Sequence, residues 1–251
     1  MCTLTWALGP DGFDLFFNRD EALTRQRALP PTVTERDGLS VAAPTDADAG
    51  GTWIAVNSRG LALCLLNGYS VTDGGRAAPV SRGLLVSSLA SAPTCADAAR
   101  RVRSLQLKQY RSFHLVAFEP GQAPLQVSWD GRSLGARSLR DTDRPLSSSS
   151  LDPAGASENR RDLLRGLERA GGRLEAADLE AFHRGHLPVA GAQSVCMHRD
   201  DAHTVSLTHV SVSPDSVLLH YCPEAPCGGA PFETVRMRRL TLSMSGGSGR
   251  G

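Results

Sequence analysis

The sequence has no excess of charge of either sign. Its 251 residues carry 27 Lys and Arg against 26 Asp and Glu, a formal net charge of +1, so no field of one sign exists to hold a nucleic-acid backbone or an anionic bilayer. It has no long apolar run either. The most apolar stretch, Leu61 to Leu66, is strand-sized, far short of the roughly 20 residues a membrane-spanning helix needs. The opening residues Met1 to Gly12 contain no basic segment and no small-residue cleavage site, and their apolar run is short and interrupted, so a cytoplasmic chain is expected. Gly50-Gly51 is followed by neither a helix pattern nor a Lys-Ser/Thr pair, which excludes a P-loop. Nor do the six cysteines (Cys2, Cys64, Cys95, Cys196, Cys222 and Cys227), scattered through a sizeable chain, form a disulfide framework.

What is present is an ordered succession of short apolar runs and turn signals. Thr3 to Leu8 and Phe13 to Phe17 flank Pro10-Asp11-Gly12 as a hairpin, and the second run leads into Asn18-Arg19-Asp20-Glu21. Residues 28–51, rich in Pro, Asp and Gly, are expected to form a loop around at most one short strand. Thr52 to Val56 and Leu61 to Leu66 flank a turn at Asn57 to Gly60. Leu84, Leu85, Ser88 and Leu89 fit one helical face, and Thr94 is placed to cap a helix over Cys95 to Leu105. Phe113 to Phe118 and Leu125 to Trp129 return to strand, and the serine run Ser147 to Ser150 breaks the sheet. Helical periodicity covers Asn159 to Ala170 and Glu175 to His183, separated by Gly171-Gly172. Strands are expected again at Ser194 to His198, Thr204 to Val212, Val217 to Tyr221 and Thr234 to Leu242, before a disordered tail from Ser243 to Gly251. This segregated order of strands and helices suits an α+β fold, with one domain over residues 1–242.

Three pieces of sequence together resemble the NRDE family, also called the transport and Golgi organization family. They are Met1-Cys2, Asn18-Arg19-Asp20-Glu21 ending a strand, and Gly51-Thr52-Trp53-Ile54-Ala55-Val56-Asn57 followed by Gly60-Leu61 and Leu66-Asn67-Gly68-Tyr69. Weaker similarity continues through Ser81 to Leu85 and through Cys196-Met197-His198-Arg199-Asp200-Asp201 to Pro226-Cys227. That family is similar to the N-terminal-nucleophile (Ntn) hydrolases of the penicillin V acylase and bile salt hydrolase type. The resemblance implies a four-layer αββα sandwich of two antiparallel sheets flanked by helices, and amide hydrolysis as the activity. For eukaryotic members it also implies heme or acyl-lipid handling, which leaves a non-catalytic carrier of heme or acyl-CoA as the alternative.

Chemistry follows from the residues themselves. Removal of Met1 would leave thiol and α-amine on Cys2, and an amine with a pKa of roughly 7.7 to 8 can accept the thiol proton near neutral pH. A nearby cation such as Arg19 would raise the thiolate fraction. The resemblance implies that Arg19 pairs with the thiolate or a substrate carboxylate, and that Asp20 orients the α-ammonium. It also places an oxyanion-hole amide at Asn67, whose bland alternative is an Asn-Gly turn. In the resembled hydrolases the arginine and aspartate are separated by two residues. Here they are adjacent, so on a regular strand their side chains point to opposite faces; either the strand bends or only one faces Cys2. Asn18, Glu21, Trp53 and Arg199 are the substrate-binding candidates, with Trp53 as a pocket-wall aromatic and Arg199 equally at home in a solvated turn.

No cofactor is expected, and the implied partner is a small-molecule substrate or ligand. Cys222-Pro-Glu-Ala-Pro-Cys227, with His203, His209 and His220 near in sequence, lies outside the usual zinc-knuckle spacing, and no second cysteine pair accompanies it. The expectation there is a structural turn with reduced thiols and no metal.

Overall fold

A computed structural model of the chain describes residues 2–70, 80–149 and 153–240. The expected tail Ser243 to Gly251, and Met1, lie outside the described residues. The first sheet joins six antiparallel strands: β1 (Cys2–Leu8), β2 (Phe13–Ala22), β10 (Leu146–Ser148), β11 (Ala202–Val212), β12 (Ser216–Cys222) and β13 (Glu233–Arg238). Their spatial order is β10-β1-β2-β11-β12-β13. The second sheet runs in sequence order through seven strands: β3 (Leu29–Arg36), β4 (Leu39–Thr45), β5 (Ile54–Asn57), β6 (Ala62–Asn67), β7 (Phe113–Phe118), β8 (Leu125–Trp129) and β9 (Leu134–Ser138). Helices α1 (Arg82–Leu89) and α2 (Cys95–Arg103) separate β6 from β7, and α3 (Pro153–Gly171) and α4 (Ala176–Arg184) separate β10 from β11.

Side-chain alternation stacks these elements in four layers. Leu4 and Trp6 of β1, with Leu15 and Phe17 of β2, point inward and meet Ile54, Val56, Cys64 and Val116 of the second sheet in one buried cluster. The opposite face of the second sheet buries Leu63, Leu65 and Leu115 against Leu85, Val86 and Leu89 of α1 and Ala98 and Val102 of α2. The opposite face of the first sheet buries Phe16 and Leu207 against Leu164 of α3 and Leu179 and Phe182 of α4. The order is therefore helices, sheet, sheet, helices.

Local chemistry explains most boundaries. Thr94 caps α2 by accepting from the Asp97 N–H, and Ser81 caps α1 by accepting from the Gly83 N–H. At Gly51 an added Cβ would sit 2.3 Å from the Gly83 backbone, so only glycine lets the start of α1 press against the chain that enters β5.

Three expectations fail, and one strand was not expected at all. Residues 28–51 hold two strands, β3 and β4, where a loop around at most one short strand was expected. β3 is an edge strand with Pro31 as its sole buried position; an edge tolerates proline and needs no apolar alternation, so the usual signal is missing. The serine run does not simply break the sheet, because Leu146–Ser148 pairs with β1 in the register Cys2↔Ser148. Segment Ser194 to His198 is irregular, with one isolated β-bridge, His198↔His203. β9, with no buried position along Leu134–Ser138, has no sequence expectation corresponding to it.

Candidate active site

Cys2 opens β1 on its inward face and pairs with Arg19 across β2 and with Ser148 across β10. It is 7% exposed. Burial pushes its thiol up to about 11, with the carboxylates of Asp20 and Glu21 adding to the rise while the chain's positive amino terminus and a backbone hydrogen bond from Asp20 oppose it. The thiol thus rests protonated until a base takes its proton.

A cavity of about 210 Å³ opens at this end of the sandwich, walled by Cys2, Arg19, Asp46, Trp53, Asn67 and Arg82 among others. A second cavity of about 310 Å³ adjoins it and shares Arg19, Glu21 and Arg25. Between the two, Arg19 donates to Asp46 at 2.6 Å and to Glu21 at 3.1 Å, and its guanidinium lies 4.3 Å from the Trp53 ring centroid. Arg25 joins the same carboxylate, Asp46, at 2.6 Å and approaches Asp48 at 3.0 Å. Burial works against ionisation of Asp46, yet the Ala49 N–H and the charges of Arg19 and Arg25 hold its carboxyl below the usual range. Arg19 therefore lines the pocket with its charge committed to Asp46 and Glu21, and the expected thiolate-promoting pairing with Cys2 is not what sets that thiol.

The adjacent pair Arg19 and Asp20 divides as strand geometry requires. Arg19 follows Leu15 and Phe17 onto the inward face, while Asp20 turns its carboxylate toward the α3/α4 layer. There it accepts from the Thr204 hydroxyl at 2.6 Å and lies 4.0 Å from the fully buried guanidinium of Arg160. Asn18 shares that outer face and donates to the carbonyls of His183 and Val195 at 2.9 and 3.1 Å. It braces the helix layer and lies away from the pocket. Arg199 is held by Asp201 across two contacts and lines neither cavity.

Asn67 ends β6 in phase with Leu63 and Leu65, on the α1 side of its sheet. It enters the cavity at the strand end, beside Ser81, Arg82 and Gly83. Among the described residues its amide has no hydrogen-bond partner, so it is available to a ligand. Of the eight sequence candidates, Cys2, Arg19, Asp20, Glu21, Trp53 and Asn67 meet at the cavity wall, Asp20 with its carboxylate turned away, while Asn18 and Arg199 do not. Asp46, Arg25 and Arg160 escaped the sequence reading. The one legible signal was at Asp46, whose Oδ1 accepts from the N–H groups of Asp48 and Ala49 in an Asx turn typical of an Asp-x-Asp segment.

A buried cysteine at the first position of an inner strand, inside an αββα sandwich with its pocket at that strand's end, defines an Ntn-hydrolase fold. Solved structures agree. The chain is similar to a Caenorhabditis elegans N-acylethanolamine-hydrolyzing acid amidase ortholog, with a TM-score of 0.58 and 13% identity over 83% of this chain and 92% of that one. It is similar to penicillin V acylase from Agrobacterium tumefaciens, with a TM-score of 0.52 and 14% identity over 94% and 86% of the two chains. It is also similar to a variant conjugated bile acid hydrolase from Clostridium perfringens, with a TM-score of 0.53 and 11% identity over 94% and 92%. At these identities the likeness establishes the fold alone. A sequence comparison with curated proteins returned no match. The family profile of Transport and Golgi organisation 2 matches residues 1–158, and the chain belongs to that family. No helix among the described residues is long and apolar enough to cross a membrane.

Proposed function

We propose that the protein is a cysteine-nucleophile hydrolase or acyltransferase of the Ntn type, acting on a linear amide or related acyl compound after removal of Met1. The observation that carries this reading is the meeting of Cys2 and an unengaged Asn67 amide in one cavity of about 210 Å³. The Cys2 thiol would pass its proton to its own α-amine, directly or through one water, and the resulting thiolate would attack the carbonyl carbon. The Asn67 amide would donate to the oxyanion. Collapse breaks the C–N bond, and the departing amine takes the proton held by the α-amine. Water, or an acceptor nucleophile in the transferase case, then cleaves the thioester and restores the thiol.

The raised Cys2 thiol fits this scheme, because burial outweighs the groups that lower it and the α-amine is the base the scheme supplies. Arg19 and Glu21, held in place by Asp46 and Arg25, would give the polar end of the substrate a charged wall, with Trp53 beneath it. Asp20 would act through its backbone.

The same cavity would serve one rival, a carrier that binds heme or an acyl-CoA-like molecule there without turnover. The two part on a single experiment. Intact mass and peptide mapping of the purified chain, before and after brief exposure to an amide-directed thiol probe, should reveal loss of Met1 and selective labelling of Cys2 that vanishes in Cys2→Ser. Retained Met1, or a Cys2 no more reactive than the other five thiols, would sink the hydrolase and favour the carrier, tested by heme and acyl-CoA titration.

A further inference from the structure

Outside the lining of either cavity, four side chains from three segments converge. His186 follows the end of α4, Cys196 and His198 sit two residues apart in the irregular segment before β11, and Cys227 lies in a short 3-10 turn, Pro226–Gly228, after β12. Their ligating atoms all lie within 4.8 Å of one another. The His198 Nε2 is 3.1 Å from the His186 Nε2, 3.6 Å from the Cys196 Sγ and 3.5 Å from the Cys227 Sγ.

One imidazole nitrogen has a single in-plane direction for a hydrogen bond, as donor or as acceptor. Three heteroatoms crowd around this one, so hydrogen bonding alone does not explain the arrangement. A tetrahedral cation does. Zinc bonds nitrogen at about 2.0 Å and sulfur at about 2.3 Å, which spaces two nitrogens about 3.3 Å apart and a nitrogen and a sulfur about 3.5 Å apart. The three spacings about the His198 Nε2 follow that pattern.

We propose that His186, Cys196, His198 and Cys227 form a structural Zn²⁺ site. Four protein donors leave no open position, which marks a structural site rather than a catalytic one. Binding releases the two thiol protons, and two thiolates balance the charge of the ion, so the half-buried complex is neutral. The donor set of two sulfurs and two nitrogens selects a soft tetrahedral ion over Mg²⁺ or Ca²⁺.

The placement gives the ion a task. The segment it holds has no regular secondary structure around Cys196, yet it supplies the Val195 carbonyl to Asn18, the Ser194 carbonyl to Arg160 and the Met197 N–H to Thr204. The ion would fix this segment against α4 and the turn after β12, and so brace the outer face of β2. The spacing argument from sequence paired Cys227 with Cys222 and expected no metal there. In the fold Cys222 turns instead toward the carbonyls of Glu224 and Ala230, and the partners of Cys227 come from the segment before β11.

The site is independent of any role for Cys2. The test is to strip the full chain with a chelator under reducing conditions and titrate it with Co²⁺ alone. Saturation at about one ion per chain, with tetrahedral visible bands, a thiolate charge-transfer band and displacement by Zn²⁺, is expected. Cys227→Ser changes an exposed residue, so folding should survive, as circular dichroism would verify. It should weaken binding by at least about tenfold and cut the charge-transfer intensity. His186→Ala should weaken binding to a similar degree and keep the charge-transfer band, while Cys222→Ser should alter neither. No saturable binding, an octahedral spectrum, an isolated Cys196–Cys227 disulfide in place of metal, or affinity indifferent to Cys227→Ser or His186→Ala would each overturn the proposal.

Discussion

The two faces of β2 carry polar residues at neighbouring positions and use them in opposite ways. On the inward face Arg19 and Glu21 join Arg25, Asp46 and Asp48 in an ion network that borders two cavities, with side chains up to about one-third exposed. On the outer face Asn18 and Asp20 meet Arg160, Thr204 and the carbonyls of His183 and Val195, where Arg160 and Asp20 have no exposed side-chain surface. Charges bordering water are screened and individually weak, whereas a buried charge stripped of its partner stays uncompensated. The inward network can therefore be altered to suit a ligand at small cost, while the outer one sets whether β2 holds its place at all.

The largest effect is expected from Arg160→Met. Arg160 donates twice to the Ser194 carbonyl and once to the Thr3 hydroxyl, and faces Asp20. Removing the guanidinium takes away the cation facing the buried Asp20 carboxylate and the donors to the Ser194 carbonyl, at about 3–5 kcal/mol of stability. Urea unfolding would measure it, and a loss below about 1 kcal/mol would mean that water reaches this face.

Acid should reach the outer face next. Burial, with the charges of Arg160 and His209, pulls the His183 imidazole down to about 3. The unfolded chain binds that proton near pH 6.5 and the folded chain does not, so stability falls as pH drops from about 6.5 toward 3, by up to about 1.4 kcal/mol per pH unit from this group. In His183→Gln that slope should flatten. An unchanged slope would remove His183 as its source.

These features differ in how far the sequence reveals them. Interior strands such as Phe113–Phe118 announce themselves through continuous apolar residues, and α2 through the Thr94 cap. Edge strands β3 and β9 bury almost nothing, so no pattern marks them. Cys2 and Asn67 were legible because each stands in a motif at a strand end. Arg160 lies on a helix among other arginines, and only the fold distinguishes it by burying it. The split between Arg19 and Asp20 was foreseeable from alternation, but which residue faced inward depended on the phase of β2. The four residues of the His198 cluster come from three segments, and no spacing rule along the chain joins them.

The inward network should respond least. Arg19→Gln gives up two ion-pair contacts and the stacking on Trp53, with the side chain only 6% exposed, and about 1–2 kcal/mol is expected after allowing for screening. Arg25→Gln should cost less than about 1 kcal/mol, because its side chain is 34% exposed. Salt separates the two. Raising ionic strength should erase the Arg25 effect, since its pairs with Glu21 and Asp48 border solvent, while much of the Arg19 effect persists through the aromatic contact. Asp46 gives the matching pH signature. Its carboxyl is held below the usual range in the folded chain, so its contribution to stability is complete above about pH 4 and fades as pH falls below that. Arg25→Gln removes one of the charges holding it there and should shift that fading toward higher pH. If Arg25→Gln proved as costly as Arg160→Met at high salt, the inward network would be structural in the same sense as the outer one, and the contrast between the two faces of β2 would fail.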